Sequence, residues 1–349
     1  MAEYTVAMMV FIIAGTAVIP LVGVVRKLAL DRGHLDIPNK RSSHFRPTPS
    51  GGGVAILFCW SIIVILLWLI DLVPSSIILA IGPPALAIAA VGFVDDRVNL
   101  SSRLRLVIQF ISVAWFIHFS EHLSLIVLFG LVDGSYIANL AIAFSLLWLI
   151  NLFNFMDGID GIAGSEAAFV FLSIGLLSGV IGNVSLMLLS LSLAGACVGF
   201  LWWNWPPAKI FLGDVGSAPL GFLIGALGLT VVDLSNSTSL VLVILLGVFL
   251  IDATVTLVTR IVSGQRWYSA HRTHAYQKLA IRWTGHRRVT LAVCLINICW
   301  LFPLAAGAYY LPDYSGIITF VELVPLVMVA LILGAGCADT FTSTNTIEK

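Results

Sequence analysis

The sequence predicts an all-α, polytopic integral membrane protein that forms a single domain over residues 1–349. Hydrophobic residues make up 59% of the chain and charged residues only 10%, whereas soluble domains carry about 25% charged residues. Apolar stretches long enough to cross a bilayer as helices recur from one end of the chain to the other. These stretches are continuous and lack alternation of period two, which excludes a transmembrane β-barrel.

Eleven apolar stretches are the predicted transmembrane helices. They cover residues 4–25, 52–70, 75–94, 106–120, 135–152, 161–181, 183–203, 216–233, 239–260, 289–311 and 315–336. The first stretch follows no basic segment and precedes no convincing cleavage site, which predicts a retained helix rather than a signal peptide. The five cysteines all fall in apolar segments and form no CxxC pair. This pattern favours packing positions over disulfides or a zinc site.

The distribution of basic residues predicts the orientation of the chain. With the N-terminus outside, the connections after helices 1, 3, 5, 7 and 9 face the cytoplasm. They carry six, three, none, one and seven of the 18 lysines and arginines, and the C-terminal tail carries the last. Positive charge is retained on the cytoplasmic side of membranes, so this arrangement predicts that the polar connections after these helices face the cytoplasm.

Acidic and aromatic residues gather in the same inner connections. The carboxylates are Asp95, Asp96, Asp157, Asp160 and Asp214. Carboxylate oxygens are hard ligands that suit Mg²⁺, with Mn²⁺ as the alternative. The basic connections supply cations for phosphate oxygens, and Phe211 and Trp267 offer rings on which a base could stack. This combination predicts a nucleotide-diphosphate site whose second substrate arrives from the lipid.

Each of these features also has a simpler explanation. A single aspartate at a helix end is often solvated or caps the helix, and Asp95 and Asp96 with nearby arginines could serve only capping and topology. The glycine-aspartate stretches are typical of turns. Phe211 could pack at the interface beside Trp202 and Trp203. The site is favoured because the acidic clusters all lie on one predicted side.

The motifs resemble those of the polyprenyl-phosphate N-acetylhexosamine-1-phosphate transferases, the family that includes the WecA-type and MraY-type enzymes. The stretch NLFNFMDGIDGIA at 151–163 is similar to the family loop after the fifth helix. An Asp-Asp pair at 95–96 and FLGDVGS at 211–217 are similar to the family motifs after the third and seventh helices. The resemblance extends from about residue 36 to residue 280, and the order of the helices suits the whole chain.

The resemblance implies a role for each matching residue. Asp214 corresponds to a magnesium ligand, with Asp96 at the same metal site, and Asp95 corresponds to the acid that activates the lipid phosphate. Phe211 corresponds to the ring that stacks on uracil. The remaining expected substrate-binding residues are Thr48, Asn151, Asn154, Asp157, Asp160, Lys209, His271, Arg272 and His274.

The connection after the ninth helix departs from the family pattern. It reads HRTHAYQ at 271–277, whereas MraY-type members carry three adjacent histidines there and WecA-type members a similar histidine-rich run. The difference argues against the MraY peptide substrate. It is more like members that initiate O antigen or related surface glycans.

The predicted reaction is transfer of N-acetylhexosamine 1-phosphate from a UDP-sugar to polyprenyl (undecaprenyl) phosphate, with release of UMP. The expected partners are these two substrates and the membrane, with no nucleic acid, and a homodimer is left open. Direct attack by the lipid phosphate is favoured over a covalent aspartyl intermediate. The alternatives are an MraY-type phospho-sugar-pentapeptide transferase and an ion-coupled transporter that would use Glu166, Asp252 and Glu322.

Overall fold

A computed structural model describes residues 2–38, 43, 46–98, 100–120, 136–235, 238–266 and 272–337. Within these ranges the chain is almost wholly helical, which confirms the predicted all-α class. The helices are α1 (Ala2–Asp31), α2 (Gly53–Leu69), α3 (Ser75–Val98), α4 (Ser102–Phe119), α5 (Tyr136–Met156), α6 (Ile162–Val180), α7 (Val184–Asn204), α8 (Asp214–Leu234), α9 (Leu240–Leu245), α10 (Gly247–Val262), α11 (Ala275–Arg282), α12 (His286–Ile296), α13 (Phe302–Tyr310) and α14 (Ser315–Ile332).

Every predicted apolar stretch falls on helix in this structure. Eight helical segments of the described chain are long and apolar enough to cross a membrane, and α12 and α13 form one of them through a π-helical stretch at Asn297–Leu301. The other three stretches fall short of that length or apolarity. α2 has 17 residues, α4 begins with arginines, and the stretch at 239–260 breaks at Leu246 into α9 and α10. The count of eleven spans therefore stays a prediction.

Local sequence explains several helix boundaries. The Ser101 hydroxyl accepts a hydrogen bond from the Leu104 N–H at 3.3 Å and caps α4, and the Asn183 side chain does the same for Leu186 in α7 at 3.0 Å. Serine and asparagine satisfy the free N–H groups of a first helical turn. Helix α1 runs to Asp31, beyond the predicted end at residue 25. Its 30 residues span about 45 Å, more than the bilayer core of about 30 Å.

Helix α8 lies at the centre of the bundle and is the most deeply buried of the eight segments. Helices α3 and α5 pack directly against it, and α1, α6 and α7 form a neighbouring layer. A short antiparallel pair joins β1 (Leu35–Asp36) to β2 (Thr48–Pro49) between α1 and α2. Because α8 is central, the residues at its N-terminus are within reach of several connections at once.

Candidate active site

A cavity of about 870 Å³ lies at the N-terminal end of α8. The end of α1, the α1–α2 connection, the end of α3, and the α5–α6 and α7–α8 connections all contribute to its wall. Five of the residues predicted from the sequence line it, namely Asp96, Asp157, Asp160, Phe211 and Asp214. The fold therefore brings together acids that are more than one hundred residues apart in the chain.

Asp96 binds the first turn of α8. Its Oδ1 accepts a hydrogen bond from the Asp214 N–H at 2.9 Å, and its Oδ2 accepts one from the Val215 N–H at 3.3 Å. A carboxylate at a helix N-terminus is stabilised by free N–H groups and by the helix dipole. Gly213 precedes this turn with φ of 76°, and a Cβ there would lie 2.6 Å from Asp96 Oδ2. A glycine is therefore required where α3 meets α8.

The Asp214 side chain has three polar partners, which are Asn154, Arg105 and Asp95. Its Oδ1 accepts a hydrogen bond from Asn154 Nδ2 at 2.7 Å, and Arg105 Nη1 lies 3.2 Å from its Oδ2. The same Arg105 nitrogen lies 2.6 Å from Asp95 Oδ2. Asp95 also accepts the Leu100 N–H at 2.6 Å. Asp95 thus contacts Asp214 both directly and through a shared arginine. Asp95 is not part of the cavity wall, whereas Asp96 is.

The α5–α6 connection is fixed through Asp160. Its Oδ2 accepts the Ala208 N–H at 3.0 Å, and its carbonyl accepts the Thr290 hydroxyl at 2.8 Å. The next residue, Gly161, has φ of 77° and donates its N–H to Asn204 Oδ1 at 2.9 Å. Asp160 is thereby tied to both the α7–α8 connection and α12. Its carboxylate has a structural function whatever it binds in the cavity.

Phe211 is held by backbone hydrogen bonds to the α1–α2 connection. Its N–H donates to the Pro49 carbonyl at 2.8 Å, and its carbonyl accepts the Gly52 N–H at 2.9 Å. Its ring lines the cavity together with Ser50 and Gly51. An aromatic face fixed in this way can stack on a planar base.

Asp157 lies among like charges. Burial raises the pKa of its carboxyl well above the ordinary value, and the negative charges of Asp214 and Asp96 add to that rise. Two further anionic groups of a nucleotide diphosphate would increase this repulsion. A bound cation would relieve it, because an opposite charge favours the ionised form of each acid.

The donor set fits a magnesium ion. The described residues contain no group of three or more acidic, histidine or cysteine side chains placed as a complete metal site. Magnesium does not need one, since it is usually held by one or two carboxylates with water and substrate phosphates completing the shell. Each Asp214 oxygen has one hydrogen-bond donor and retains a lone pair for a metal. Asp214 and Asp96 are therefore suited to hold Mg²⁺.

The other predicted residues that the structure describes lie outside the cavity wall. Asn151 donates to Gln109 Oε1 and to the Leu147 carbonyl. Thr48 is buried and donates to the Arg46 carbonyl. The Lys209 ammonium lies 5.5 Å from the Trp203 ring centroid. Arg272 is half-buried and does not line the cavity, and His271 lies outside the described residues.

His274 belongs to the support of the site. The ring is buried, and its Nδ1 lies 3.1 Å from Asp252 Oδ1. Asp252 also accepts the N–H groups of Ala275 and Tyr276 at 2.9 and 2.8 Å, so it caps α11. Tyr276 in turn donates its hydroxyl to the Phe155 carbonyl at 3.1 Å, next to the α5–α6 connection. His274 does not line the cavity and its Nδ1 is engaged by Asp252, and the expected substrate contact stays a prediction.

Several residues of the site were not predicted from the sequence. Arg105, Asn204, Gln277 and His286 either line the cavity or bind the residues that do. Arg105 lies ten positions after Asp95 and folds back to bind it. That spacing between the Asp-Asp pair and a following arginine is the one sequence pattern that could have identified Arg105. Nothing local to the sequence relates His286 to Asp160, 126 positions earlier.

Comparisons with known proteins agree with this geometry. Residues 78–232 match the family described as Glycosyl transferase family 4. The chain is 27% identical to a probable undecaprenyl-phosphate N-acetylglucosaminyl 1-phosphate transferase of Bacillus subtilis, over 85% of this chain and 83% of the relative. It is 28% identical to the decaprenyl-phosphate N-acetylglucosaminephosphotransferase of Mycolicibacterium smegmatis, over 89% and 84%.

A third relative represents the other branch. The phospho-N-acetylmuramoyl-pentapeptide-transferase of a Wolbachia species is 33% identical, over 62% of this chain and 68% of the relative. The cavity brings the acids of three family motifs together at the N-terminus of the central helix α8. This geometry and the sequence similarities lead to the same conclusion. The chain is a multi-pass membrane enzyme and belongs to the Glycosyl transferase family 4, the polyprenyl-phosphate sugar-1-phosphate transferases.

Proposed function

We propose that this enzyme transfers N-acetylhexosamine 1-phosphate from a UDP-sugar to polyprenyl phosphate and releases UMP. The observation that carries the proposal is the convergence of Asp96, Asp157, Asp214 and the Phe211 ring on one cavity. Carboxylates for a metal and a ring for a base are what a nucleotide diphosphate requires. The second substrate would reach this site from the surrounding lipid, because the cavity lies at the end of a bundle of apolar helices.

The reaction forms one phosphorus–oxygen bond and breaks another. An oxygen of the lipid phosphate attacks the donor phosphorus that carries the sugar, and the bond from that phosphorus to the bridging oxygen breaks, so that UMP leaves with the electron pair. The acceptor phosphate has a second pKa of about 6 and is largely dianionic at neutral pH. It needs no strong general base. This favours direct attack over an aspartyl intermediate.

Asp214 and Asp96 would hold the magnesium ion, which supplies charge neutralisation for the diphosphate. Asn154 and Arg105 fix the Asp214 carboxylate through contacts of 2.7 and 3.2 Å. Phe211 would orient the uracil. Catalysis would then come chiefly from positioning and from fixed charges, as is general for phosphoryl transfer.

Relatives support N-acetylglucosamine as the first sugar to test. The two relatives covered over more than four fifths of their length are named for N-acetylglucosamine 1-phosphate transfer to a polyprenyl phosphate. The pentapeptide transferase is covered over a smaller share of its length.

We infer a role in starting a surface glycan such as O antigen. A UDP-sugar panel with purified protein tests this, and UMP release only with the muramoyl-pentapeptide donor would favour the alternative.

We also propose that the cavity faces the cytoplasm from the bacterial inner membrane. The basic residues Arg26, Lys27 and Arg32 near the end of α1 support this orientation, since they lie at the cavity end of the bundle. A cysteine at Ser101 should be labelled by an impermeant thiol reagent only from the cytoplasmic side. Labelling from the outside would contradict the orientation.

A further inference from the structure

His286 is a residue of the cavity wall to which none of the sequence motifs assigns a role. It is the first residue of α12, and its side chain is 15% exposed. Its Nε2 lies 3.0 Å from the Ser43 carbonyl, in the α1–α2 connection. Its Nδ1 lies 3.3 Å from the Asp160 nitrogen and 3.2 Å from Asp160 Oδ1. One ring thus touches two connections that both line the cavity.

The chemistry of its neighbours assigns the hydrogens of the ring. A carbonyl oxygen can only accept, so Nε2 must carry the hydrogen that is donated to Ser43. In the neutral ring Nδ1 has a lone pair that accepts the Asp160 N–H. In the protonated ring Nδ1 donates instead to Asp160 Oδ1, 3.2 Å away, and although burial lowers the pKa of His286, the hydrogen bond and charge of Asp160 raise it above its ordinary value. Either form uses both nitrogens, one toward each connection, and an alanine could make neither contact.

His286 is also connected to the third wall of the cavity. Asp160 accepts the Ala208 N–H, and the adjacent Gly161 donates to Asn204, whose amide donates to the Ile210 carbonyl at 2.9 Å. Ile210 directly precedes Phe211. The ring therefore links the α1–α2 connection to the two connections that carry Asp157 and Phe211.

We propose that His286 is a positioning residue that sets the nucleotide end of the cavity by holding the α1–α2 connection at Ser43 against Asp160. This inference rests on the proposed function. Phe211 is fixed from the other side by its hydrogen bonds to Pro49 and Gly52. Loss of the His286 contact would release the described part of this connection at Ser43, whereas its hydrogen bonds at Pro49 and Gly52 would remain. The UDP-sugar, which would occupy this end, would bind less tightly, whereas the lipid phosphate would not be affected.

Steady-state kinetics of three variants tests this proposal. His286→Ala should raise the KM for the UDP-sugar on the order of 3- to 10-fold, the loss expected for one neutral hydrogen bond or a little more. The KM for polyprenyl phosphate and kcat should stay within about twofold. His286→Gln, whose terminal amide can still donate to Ser43, should lie nearer the wild type than His286→Asn, whose amide is too short. Arg288→Ala, on the exposed side of the same helix end, is the matched control.

Binding of UDP alone gives a measurement that does not depend on turnover. UDP should raise the unfolding temperature of the wild type and of His286→Gln more than that of His286→Ala or His286→Asn. The proposal would be overturned if His286→Ala changed both KM values equally or lowered only kcat. It would also be overturned if the KM of His286→Gln for the UDP-sugar were no lower than that of His286→Asn. A wild type that releases no UMP from any UDP-sugar would instead overturn the proposed function, so the two failures are distinguishable.

Discussion

Nδ2 of Asn154 lies 2.7 Å from Oδ1 of Asp214, across 60 positions of sequence. The contact joins the end of α5 to the first residue of α8. It leaves the second carboxylate oxygen of Asp214 to Arg105, at 3.2 Å. Asp214 is thus oriented from two sides before any ligand binds, which is how a site that acts by positioning is expected to be built.

The first prediction concerns the metal. Asp214→Asn keeps the size of the side chain but removes its charge, and an amide is a poorer ligand for Mg²⁺ than a carboxylate. We expect the Mg²⁺ concentration for half-maximal rate to rise at least about tenfold, as removal of a charge-assisted contact implies. Mg²⁺ titration of UMP release measures it. Asp71→Asn, exposed at the far end of α2, should behave as wild type, and an unchanged titration for Asp214→Asn would remove the residue from the metal site.

A second prediction concerns Arg105, which holds Asp95 and Asp214 together. Arg105→Ala should lower kcat/KM on the order of tenfold, because Asp214 loses a fixed charge-assisted contact in a partly exposed position. Arg105→Lys should recover only part of the loss, since its single ammonium cannot reproduce the guanidinium geometry. Arg103→Ala, exposed on the same turn, is the control. Equal losses for both alanine variants would point to a general effect of charge.

A third prediction concerns Asp252, which accepts two N–H groups at the start of α11 and contacts His274. Asp252→Asn should destabilise the protein by about 1–2 kcal/mol, the cost of a weakened helix cap. It should also reduce turnover, because Tyr276 on α11 binds the carbonyl of Phe155. Thermal unfolding and UMP release of the same preparations measure both. Asp313→Asn, at an exposed turn, is the control. Full activity in Asp252→Asn would show that α11 is not needed to support the site.

A fourth prediction concerns the buried pair of Glu166 and Asn297. Asn297 Nδ2 donates to Glu166 Oε2 at 2.6 Å, while Glu166 Oε1 and Asn297 Oδ1 have no hydrogen-bond partner among the described residues. A charged carboxylate is costly inside a membrane. Glu166→Gln should therefore be tolerated, because its amide can both accept from and donate to Asn297. Glu166→Ala should destabilise by about 1–3 kcal/mol, since it leaves a buried amide unpaired.

Thermal unfolding in detergent, with UMP release as a second measurement, decides the fourth prediction. If glutamine destabilised as much as alanine, the pair would require a charge. An ion-coupled transporter would need that charge to bind its ion. The structure gives two of the three acids considered for a transporter structural partners, since Asp252 caps α11 and Glu166 is bound by Asn297. Glu322 is buried, and neither of its carboxylate oxygens has a hydrogen-bond partner among the described residues.

The class of the fold was predictable because it depends on hydropathy over long windows, which one sequence contains. Each apolar stretch forms helix, but not every such helix is long and apolar enough to cross a membrane. The break at Leu246 and the arginines in the first turn of α4 are the reasons in two of the cases. The 30-residue length of α1 was underestimated. The apolar stretch ends before Arg26 and Lys27, which set its predicted end at residue 25. Charged residues end an apolar stretch, but they do not end a helix, and α1 continues to Asp31.

The candidate site was predictable in its acidic core and in its aromatic residue, Phe211. Asp96, Asp157 and Asp214 stand in short motifs with glycines, so their types and spacing indicated chemistry. His274 looked equivalent to them in the sequence, yet its Nδ1 faces Asp252. A histidine near a site can hold the surrounding structure as well as bind substrate, and the sequence alone does not distinguish the two. Arg105 and His286 act through partners on other helices. Such contacts depend on how the helices pack, which no local pattern in one sequence specifies.

The most direct test follows the phosphorus atom. Purified protein is given Mg²⁺, undecaprenyl phosphate and UDP-N-acetylglucosamine carrying labelled phosphorus at the sugar-bound position. The proposed reaction predicts that the label enters the lipid fraction as a sugar diphosphate and that unlabelled UMP appears in equal amount. Asp214→Asn should lower both at least about tenfold at limiting Mg²⁺. Label remaining in the aqueous phase as UDP, with the sugar alone on the lipid, would contradict transfer of sugar 1-phosphate.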